Sequence, residues 1–178
     1  MIYSYLKGRR QCVRVNGSDS KFKTILAGVP QGSILGPILF NVFINDLNYF
    51  IERASLHGFA DDHSLTASRD NLADLREILS SESNISVDWL KENNMAANPS
   101  KFQAIIFTNK KEPIRTNFTI KSYTIQNEEI VELLGMQIDE KLKFAKHIRD
   151  LFRKAGGQLN ALKTVSYTHL TLPTRKLV

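Results

Sequence analysis

The stretch GVPQGSILGPILFNVFINDL, residues 28–47, is the part of the sequence from which the rest can be interpreted. Its first ten residues are rich in Gly, Pro and Ser, a composition typical of a loop whose backbone can approach a ligand closely. From Ile38 onward, apolar residues recur at helical spacing, and Pro37 suits the first turn of a helix. The stretch therefore predicts a loop followed by a helix, which is apolar around so much of its circumference that we expect it to be buried.

Four residues of this loop are candidates for contact with a ligand: Pro30, Gln31, Gly32 and Ser33. The amide of Gln31 can hydrogen-bond a base edge, a sugar or a phosphate. An ordinary strand-to-helix connection has a similar composition, so the residue types alone leave both interpretations open.

Two adjacent carboxylates, Asp61 and Asp62, lie between the apolar stretches 54–60 and 64–67, which we predict to be strands. Like charges held this close favour a bound cation. Mg²⁺ takes one or two carboxylates and completes its shell with water and phosphate oxygens. A solvated turn, where aspartate is common, is the simpler explanation of such a pair taken alone.

The middle of the chain predicts one long helix, capped by Asp70 or Asn71, with Trp89 on its apolar stripe and in the core. Lys101 then precedes a predicted strand at residues 103–108. A lysine in that position can pair with a phosphate or donate a proton. Lysines at strand edges are also common surface residues, so this role needs further support.

The C-terminal part predicts a β-pair at residues 115–120 and 123–126, then a strand at 131–138 interrupted by Gly135. The last predicted helix has an apolar face. Its positively charged side chains are consistent either with contact to a nucleic-acid backbone or with a helix face exposed to solvent. Residues 166–178 lack a helical period, so we expect an unstructured tail outside the fold. The four cations proposed for the backbone contact are Lys146, Arg149, Arg153 and Lys154.

The charge of the 178-residue chain is unevenly distributed. Residues 1–60 carry a net +4, residues 61–100 a net −5 and residues 101–178 a net +7. Basic ends around an acidic middle suit a polyanion-binding protein that also holds a divalent cation.

The single cysteine, Cys12, excludes an internal disulfide and a Cys-rich zinc site. No apolar run approaches the length of a membrane span, and the start does not resemble a signal peptide, so we expect an intracellular protein of the cytoplasm or nucleus without membrane contact.

Taken in order, these pieces resemble a reverse transcriptase of the non-LTR retrotransposon kind, especially its jockey-like group. Residues 28–47 are similar to the B motif of that family nearly throughout, and Phe59-Ala60-Asp61-Asp62 stands where the family has Tyr-Ala-Asp-Asp. Residues 89–98 and 101–107 resemble the D region, and Leu133-Leu134-Gly135 with Ile138-Asp139 resembles the E motif, or primer grip. The resemblance covers residues 2–165, and several motifs in the right order are far more specific than any one of them.

The resemblance implies an α+β fold: a partial polymerase palm, built as an antiparallel sheet backed by helices, with part of the fingers and the first thumb helix. Residues 1–142 would be fingers and palm, residues 143–165 the start of the thumb, and residues 166–178 the unstructured tail. The implied partners are an RNA template, a DNA primer and deoxynucleoside triphosphates. The oligomeric state stays open.

The resemblance also implies roles for single residues. Asp61 and Asp62 would be the catalytic and metal-binding carboxylates, with Mg²⁺ as the cofactor and Mn²⁺ as its substitute. In such two-metal nucleotidyl transfer, one ion lowers the pKa of the primer 3′-hydroxyl and the other holds the triphosphate. Lys101 would donate a proton to pyrophosphate, and Leu134 and Gly135 would position the primer end. The nucleotide site would be lined by Pro30, Gln31, Gly32 and Ser33.

One departure from the family pattern weakens the expectation of activity. In the family, another metal-binding aspartate lies on the strand of the A motif, and this strand precedes the segment that corresponds to the residues from Tyr5 onward. The first aspartate of this sequence is Asp19, which comes after that position. We therefore expect a domain truncated at both ends, inactive as this isolated chain. The alternative is a catalytically dead retroelement remnant with residual nucleic-acid binding. A third possible class of protein is a metal-dependent nuclease that uses Asp61 and Asp62, but the loop at residues 28–33 would have no role in such an enzyme.

Overall fold

A computed structural model of the chain describes residues 2–169. Within that range, helices alternate with short antiparallel strand pairs, so the fold is a mixed helix and strand arrangement. Two 3₁₀ turns, Asn45–Tyr49 and Pro99–Lys101, follow the second and third helices. The helices and strands are α1 (Ile2–Leu6), β1 (Arg10–Gln11), β2 (Arg14–Val15), β3 (Ser18–Asp19), β4 (Lys23–Thr24), α2 (Leu35–Ile44), β5 (Ser55–Phe59), β6 (Asp62–Thr66), α3 (Leu72–Glu92), β7 (Asn117–Ile120), β8 (Tyr123–Gln126), β9 (Ile130–Leu133), β10 (Met136–Asp139) and α4 (Ala145–His169).

The described strands form separate two-stranded antiparallel ladders: β1 with β4, β2 with β3, β5 with β6, β7 with β8 and β9 with β10. The expected combination of antiparallel strands and helices is confirmed at this level. The ladders do not join into one continuous sheet within residues 2–169. Local hairpin patterns account for the pairs of consecutive strands, whereas the β1–β4 pair encloses β2–β3, and the joining of pairs depends on contacts between distant segments.

The predicted strand at residues 131–138 is two strands joined by a tight turn. Leu134 and Gly135 are the two turn residues, with φ of 51° and 78°. A two-residue hairpin turn requires such left-handed angles to match the twist of its strands. Gly135 therefore does not interrupt one strand but reverses the chain between β9 and β10.

The predicted strand at residues 103–108 is wrong. The segment makes only one isolated parallel bridge, between Ile105 and Glu128. The end of the segment is held differently, because the Nζ of Lys141 donates to the carbonyl of Thr108 at 2.8 Å and also to that of Lys110. The described hydrogen bonds thus hold the two ends of the segment, with Glu128 N–H donating to the carbonyl of Ala104 at 2.8 Å, without forming a ladder.

The core lies where α3 packs against the β7–β8 ladder and meets α2. Asn71 caps α3, since the backbone N–H of Ala73 donates to its side-chain oxygen at 2.9 Å. The prediction that Trp89 is a core residue is confirmed: it is 4% exposed and meets the ring of Phe43 edge-on, with centroids 5.9 Å apart. This aromatic contact connects α2 to α3.

The prediction that α2 is buried is wrong for this chain. Ile38 is 56% exposed and Val42 is 70% exposed, and Gly36 is the buried residue of the helix. The apolar face of α4 is uncovered in the same way, with Leu151 and Phe152 exposed. Apolar patterns predict which faces can be buried, but burial also needs a partner, and no described segment covers either face.

Helix α4 continues from Ala145 to His169 across the Gly156-Gly157 pair. The expectation of an unstructured tail from residue 166 is therefore wrong for residues 166–169, and residues 170–178 lie outside the described part of the chain. None of the helices in residues 2–169 combines the length and apolar character needed to cross a membrane.

A buried carboxylate holds the segment that follows α2. Glu82 on α3 is 2% exposed, and its two oxygens accept the backbone N–H groups of Glu52 and Arg53 at 3.2 and 3.1 Å. Hydrogen bonds to a charged group contribute more than neutral ones, and unpaired buried N–H groups are costly. Glu82 therefore fixes the exit from α2 and its 3₁₀ turn against α3.

We expect Glu82→Ala to lower the free energy of unfolding by roughly 2–4 kcal/mol, because two backbone N–H groups lose a buried charged acceptor. Glu82→Gln should lose less, since its amide keeps one acceptor oxygen. Urea unfolding of both variants measures the effect. Glu77→Ala is the matched control, because it removes an exposed carboxylate of the same helix that pairs with Arg53 and should change stability by about 1 kcal/mol or less. Equal losses in Glu82→Ala and Glu77→Ala would contradict this role of Glu82.

Candidate metal and nucleotide site

The two adjacent aspartates lie at the tip of the β5–β6 hairpin, as the sequence predicts. Phe59 pairs with Asp62 across the ladder, so Ala60 and Asp61 form the two-residue turn. Ala60 has a φ of 53°, which is uncommon for a residue with a Cβ atom. Both carboxylates are exposed. The hairpin therefore presents Asp61 and Asp62 together to solvent on a sharply turned backbone.

His63, the next residue, is part of β6 and partly buried. Burial lowers the pKa of His63, and the negative charges of Asp61 and Asp62 act in the opposite direction. The net shift favours the neutral ring. His63 is accordingly a packing residue of the ladder.

The carboxylate oxygens of Asp61 and Asp62 are ligands of the type that a hard divalent cation binds. Carboxylate oxygens are what Mg²⁺ prefers, and one or two of them together with substrate phosphates and water form its usual environment. Among the described residues, however, no group of three or more His, Cys, Asp or Glu residues comes together around a common centre. The chain thus supplies two carboxylates to such a site.

The loop at residues 28–33 is organised around the hydroxyl of Ser33. This hydroxyl accepts from the Tyr5 hydroxyl at 2.6 Å and from the backbone N–H of Gly36 at 3.0 Å, and it donates to the carbonyl of Pro30 at 2.8 Å. Gln31 and Gly32 are exposed between these anchors. Of the four predicted loop residues, Pro30 and Ser33 therefore shape the loop, and Gln31 and Gly32 are the accessible ones.

Gly36 belongs to this arrangement, although sequence analysis did not single it out. A Cβ atom at Gly36 would lie 2.9 Å from the Ser33 hydroxyl and 3.2 Å from the Pro30 carbonyl. Any larger residue would push the first turn of α2 away from the loop. The Gly-Pro pair at the helix start was the signal available in the sequence.

The remaining predicted site residues are exposed on other elements. Lys101 ends the 3₁₀ turn Pro99–Lys101, which the side chain of Asn98 caps. Leu134 and Gly135 form the exposed β9–β10 turn. Within residues 2–169, neither element shares a hydrogen bond or an ion pair with the Asp61-Asp62 turn. The structure therefore brings the two aspartates together and leaves Lys101 and the β9–β10 turn as separate surface features.

The four cations of α4 are exposed, as predicted. Arg153 donates to Asp150 at 3.0 Å within the helix, whereas Lys146, Arg149 and Lys154 have no carboxylate partner among the described residues. The helix is joined to β10 because the backbone N–H of Gln137 donates to Nδ1 of His147 at 3.3 Å. The start of α4 is thus attached to the hairpin that carries Leu134 and Gly135.

A further anchor is Asp139, at the end of β10, which the sequence marks as part of the E motif without indicating its structural role. Its carboxylate accepts the backbone N–H groups of Lys141, Lys143 and Phe144 at 3.1, 3.0 and 2.5 Å. These bonds hold a tight connection in which Leu142 and Phe144 adopt left-handed φ angles of 54° and 56°. Asp139 therefore sets the direction in which the chain leaves β10 and enters α4.

The stability contribution of Asp139 depends on pH. Hydrogen bonding lowers its pKa, chiefly through the N–H of Lys143. The carboxylate therefore stabilises the folded chain fully above the unfolded pKa of about 3.9, and this contribution is lost as the pH falls through the lower, folded value. We expect Asp139→Asn to be less stable at neutral pH and to depend less on pH below about 4.

Urea midpoints measured at a series of pH values test this expectation. Glu112→Gln, which removes an exposed carboxylate with no hydrogen-bond or ion-pair partner among the described residues, is the control and should change the pH dependence of stability less than Asp139→Asn does. A profile for Asp139→Asn that parallels the unmodified chain below pH 4 would contradict the role assigned to these hydrogen bonds.

Comparison with known proteins gives a family match over most of the chain. Residues 1–138 match the family described as reverse transcriptase (RNA-dependent DNA polymerase). The RNA-directed DNA polymerase from mobile element jockey of Drosophila melanogaster is 31% identical, over 99% of this chain and 19% of its own length. No solved structure gives a significant match.

Two further relatives from Drosophila melanogaster carry similar names. The "Probable RNA-directed DNA polymerase from transposon BS" is 29% identical, over 98% of this chain and 20% of its own length. The "Probable RNA-directed DNA polymerase from transposon X-element" is 29% identical, over 85% of this chain and 17% of its own length. The chain thus spans about a fifth of the length of these relatives.

Proposed function

The chain belongs to the reverse transcriptase family, and we propose that it forms part of the palm and fingers, at residues 1–142, and the start of the thumb, at residues 143–165, of an RNA-directed DNA polymerase of a non-LTR mobile element. The match over residues 1–138 carries this proposal, because it contains both the loop at residues 28–33 and the Asp61-Asp62 turn. The similarity to the jockey polymerase supports the mobile-element origin.

In this proposal the chain contributes binding groups on three surfaces. The exposed carboxylates of Asp61 and Asp62 would hold divalent cations, Mg²⁺ or Mn²⁺, which would supply electrostatic stabilisation to nucleotidyl transfer. Gln31 and Gly32 would contact the incoming deoxynucleoside triphosphate, on a loop held in shape by Ser33. Lys101 would be the proton donor to the leaving pyrophosphate.

The primer and template would lie along the C-terminal part. Leu134 and Gly135, at the tip of the β9–β10 hairpin, would position the primer end. The exposed cations of α4 would face the phosphate backbone of the RNA–DNA hybrid. The hydrogen bond between Gln137 and His147 supports a joint role, because it fixes the hairpin and the helix to each other.

A chimaeric polymerase tests the proposal. Residues 1–165 would replace the matching segment of the jockey polymerase, and the product would be assayed for DNA synthesis on an RNA template with a DNA primer. We expect synthesis that depends on the template and on all four deoxynucleoside triphosphates. A chimaera that folds by circular dichroism and binds the primer–template, yet makes no DNA under any divalent cation, would contradict the proposed function.

A second candidate is a chain that binds nucleic acid without synthesising DNA. One observation favours it: Lys146, Arg149 and Lys154 are exposed on α4 without a carboxylate partner among the described residues. The same chimaera separates the two candidates, because a chain that only binds would leave the chimaera inactive while primer–template affinity remained.

A further inference from the structure

The loop at residues 28–33 is held at both of its ends by the first residues of the chain. At the start of the loop, the guanidinium of Arg9 donates to the carbonyl of Gly28 at 3.1 Å. At the end of the loop, the hydroxyl of Tyr5 donates to the hydroxyl of Ser33 at 2.6 Å. Both of these donating side chains are partly buried. One short segment therefore bonds the two ends of a loop whose middle is exposed.

A left-handed glycine separates the two side chains. Tyr5 is on α1, which ends at Leu6, and Gly8 follows with a φ of 71°. Glycine adopts this angle without the steric cost that a Cβ atom brings. The chain then enters β1, where the backbone N–H of Ile25 donates to the carbonyl of Arg9 at 2.9 Å. Helix α1 on one side of the turn and the β1–β4 ladder on the other therefore support the two side chains.

The bond from Tyr5 completes the hydrogen bonding of the Ser33 hydroxyl. A serine hydroxyl can donate once and accept twice, and this one donates to Pro30 and accepts from Tyr5 and from a backbone N–H in the first turn of α2. The backbone N–H of Ser33 also donates to the carbonyl of Pro30 at 3.3 Å, which closes a turn around Gln31 and Gly32. Gly32 has a φ of 78°, as the third residue of a type II turn requires. The exposed part of the loop is thus a defined turn with Tyr5 among its supports.

We propose that Tyr5 and Arg9 are positioning residues for nucleotide binding, which hold the loop in one conformation before the deoxynucleoside triphosphate arrives. The identity of the ligand rests on the proposed function, in which Gln31 and Gly32 contact that nucleotide. An ordered loop loses less conformational entropy on binding, and only molecules in the competent conformation contribute to the apparent affinity. Tyr5 and Arg9 therefore act on the KM for the nucleotide rather than on the chemical step.

Amide hydrogen exchange in the full 178-residue chain tests the holding of the loop without any catalysis. The amides of Ser33 and Gly36 report on the loop, because both are hydrogen-bonded within it. Loss of one hydrogen bond shifts an opening equilibrium by about fivefold. We therefore expect Tyr5→Phe to speed the exchange of both amides by about that factor, and Y5F/R9Q to speed it further.

The matched control is Y123F/R10Q, which makes the same two chemical changes elsewhere. The hydroxyl of Tyr123 is on an exposed residue of β8 and has no hydrogen-bond partner among the described residues. The guanidinium of Arg10 contacts the ring of Phe22 instead of the loop. Exchange of the two reporter amides in this control should equal that of the unmodified chain.

Nucleotide dependence is measured in the chimaeric polymerase, as incorporation of one deoxynucleoside triphosphate over a range of concentrations. Y5F/R9Q should raise the KM for the nucleotide by about tenfold and leave kcat within about twofold. Primer–template affinity and the kinetics of Y123F/R10Q should match those of the unmodified chimaera. A loss of overall stability would lower the amount of active enzyme and would not by itself raise the KM.

Two outcomes would overturn the proposal. One is exchange at Ser33 and Gly36 that is as slow in Y5F/R9Q as in Y123F/R10Q, which would show that the two side chains do not hold the loop. The other is faster exchange in Y5F/R9Q with an unchanged KM, which would show that nucleotide binding does not depend on the order of the loop. An unmodified chimaera that makes no DNA contradicts the proposed function instead and removes the nucleotide as the ligand, while the exchange rates still decide whether Tyr5 and Arg9 hold the loop.

Discussion

Asp61→Asn in the chimaeric polymerase should abolish primer extension, with a rate loss of at least about 10³-fold. Metal coordination at a reacting phosphate contributes several kcal/mol of transition-state stabilisation, and about 1.4 kcal/mol corresponds to a tenfold change in rate. Asn keeps the size of Asp but loses the charge that attracts the cation. Single-turnover extension of a labelled DNA primer on an RNA template measures the loss.

The control for this substitution is Asp74→Asn in the same chimaera, which removes one exposed carboxylate from α3 and should leave the rate within about twofold. Primer–template affinity should be similar in both variants, since neither residue is a cation. Extension that survives Asp61→Asn would show that the metal site is placed on the wrong residues.

Residues 1–178 on their own should extend no primer with Mg²⁺ or Mn²⁺. Asp61 and Asp62 are neighbours at a turn, and successive residues of a strand point to opposite faces. In the proposed two-ion site these two carboxylates would have to hold both cations by themselves, since no group of three or more such ligands comes together among the described residues. Robust synthesis by this chain alone would contradict the need for a third carboxylate.

Features that depend on local sequence were predictable. The turn at Asp61 and the cap at Asn71 each follow from residues within one or two turns of chain, and the apolar stripe of α3 indicated which side of that helix carries Trp89. The same holds for the loop before α2, where Gly, Pro and Ser specify an irregular backbone whatever surrounds it. Most of the proposed site residues lie on such segments, so the local conformation around these residues could be predicted from the sequence.

Features that depend on distant partners were not predictable. The apolar pattern of α2 indicates a buried helix, yet Ile38 and Val42 are exposed because no described segment covers them. Residues 103–108 have the composition of a strand, but among the described residues this segment forms one isolated bridge, to Glu128, and Lys141 bonds only its last carbonyl. Apolar periodicity indicates which face of a segment can be buried or paired. Tertiary contacts determine whether that face is in fact covered.

Polar side chains that hold the backbone form a third class, which sequence patterns do not mark. Glu82 lies on the buried side of α3 and accepts two N–H groups from the segment after α2. Asp139 does the same for the connection into α4, and Asn127 bonds the backbone of Thr116 and Ile114. Each of these side chains bonds backbone groups that are distant in sequence or lie in an irregular turn. Such hydrogen bonds leave no periodic pattern in the sequence from which they could be predicted.

Reversing two charges on α4 should strongly weaken binding to an RNA–DNA hybrid. The net charge after residue 100 is +7, and α4 presents its cations to solvent beside the β9–β10 hairpin. Each phosphate contact on a duplex adds about 0.9 to the logarithmic salt slope. We therefore expect R149E/R153E to reduce the slope by about 2 and the affinity on the order of 10²-fold at 0.1 M salt.

The matched control for the α4 variant is K110E/K111E, which reverses two exposed lysines outside the helix and changes total charge equally. Circular dichroism of both variants shows whether α4 remains helical, because Arg153 pairs with Asp150 and its reversal adds a repulsion within the helix. If α4 contacts the hybrid, the control keeps most of its affinity while R149E/R153E loses it. Equal losses in the two variants, or binding of the unmodified chain that does not weaken with salt, would show that the hybrid is not held along this helix.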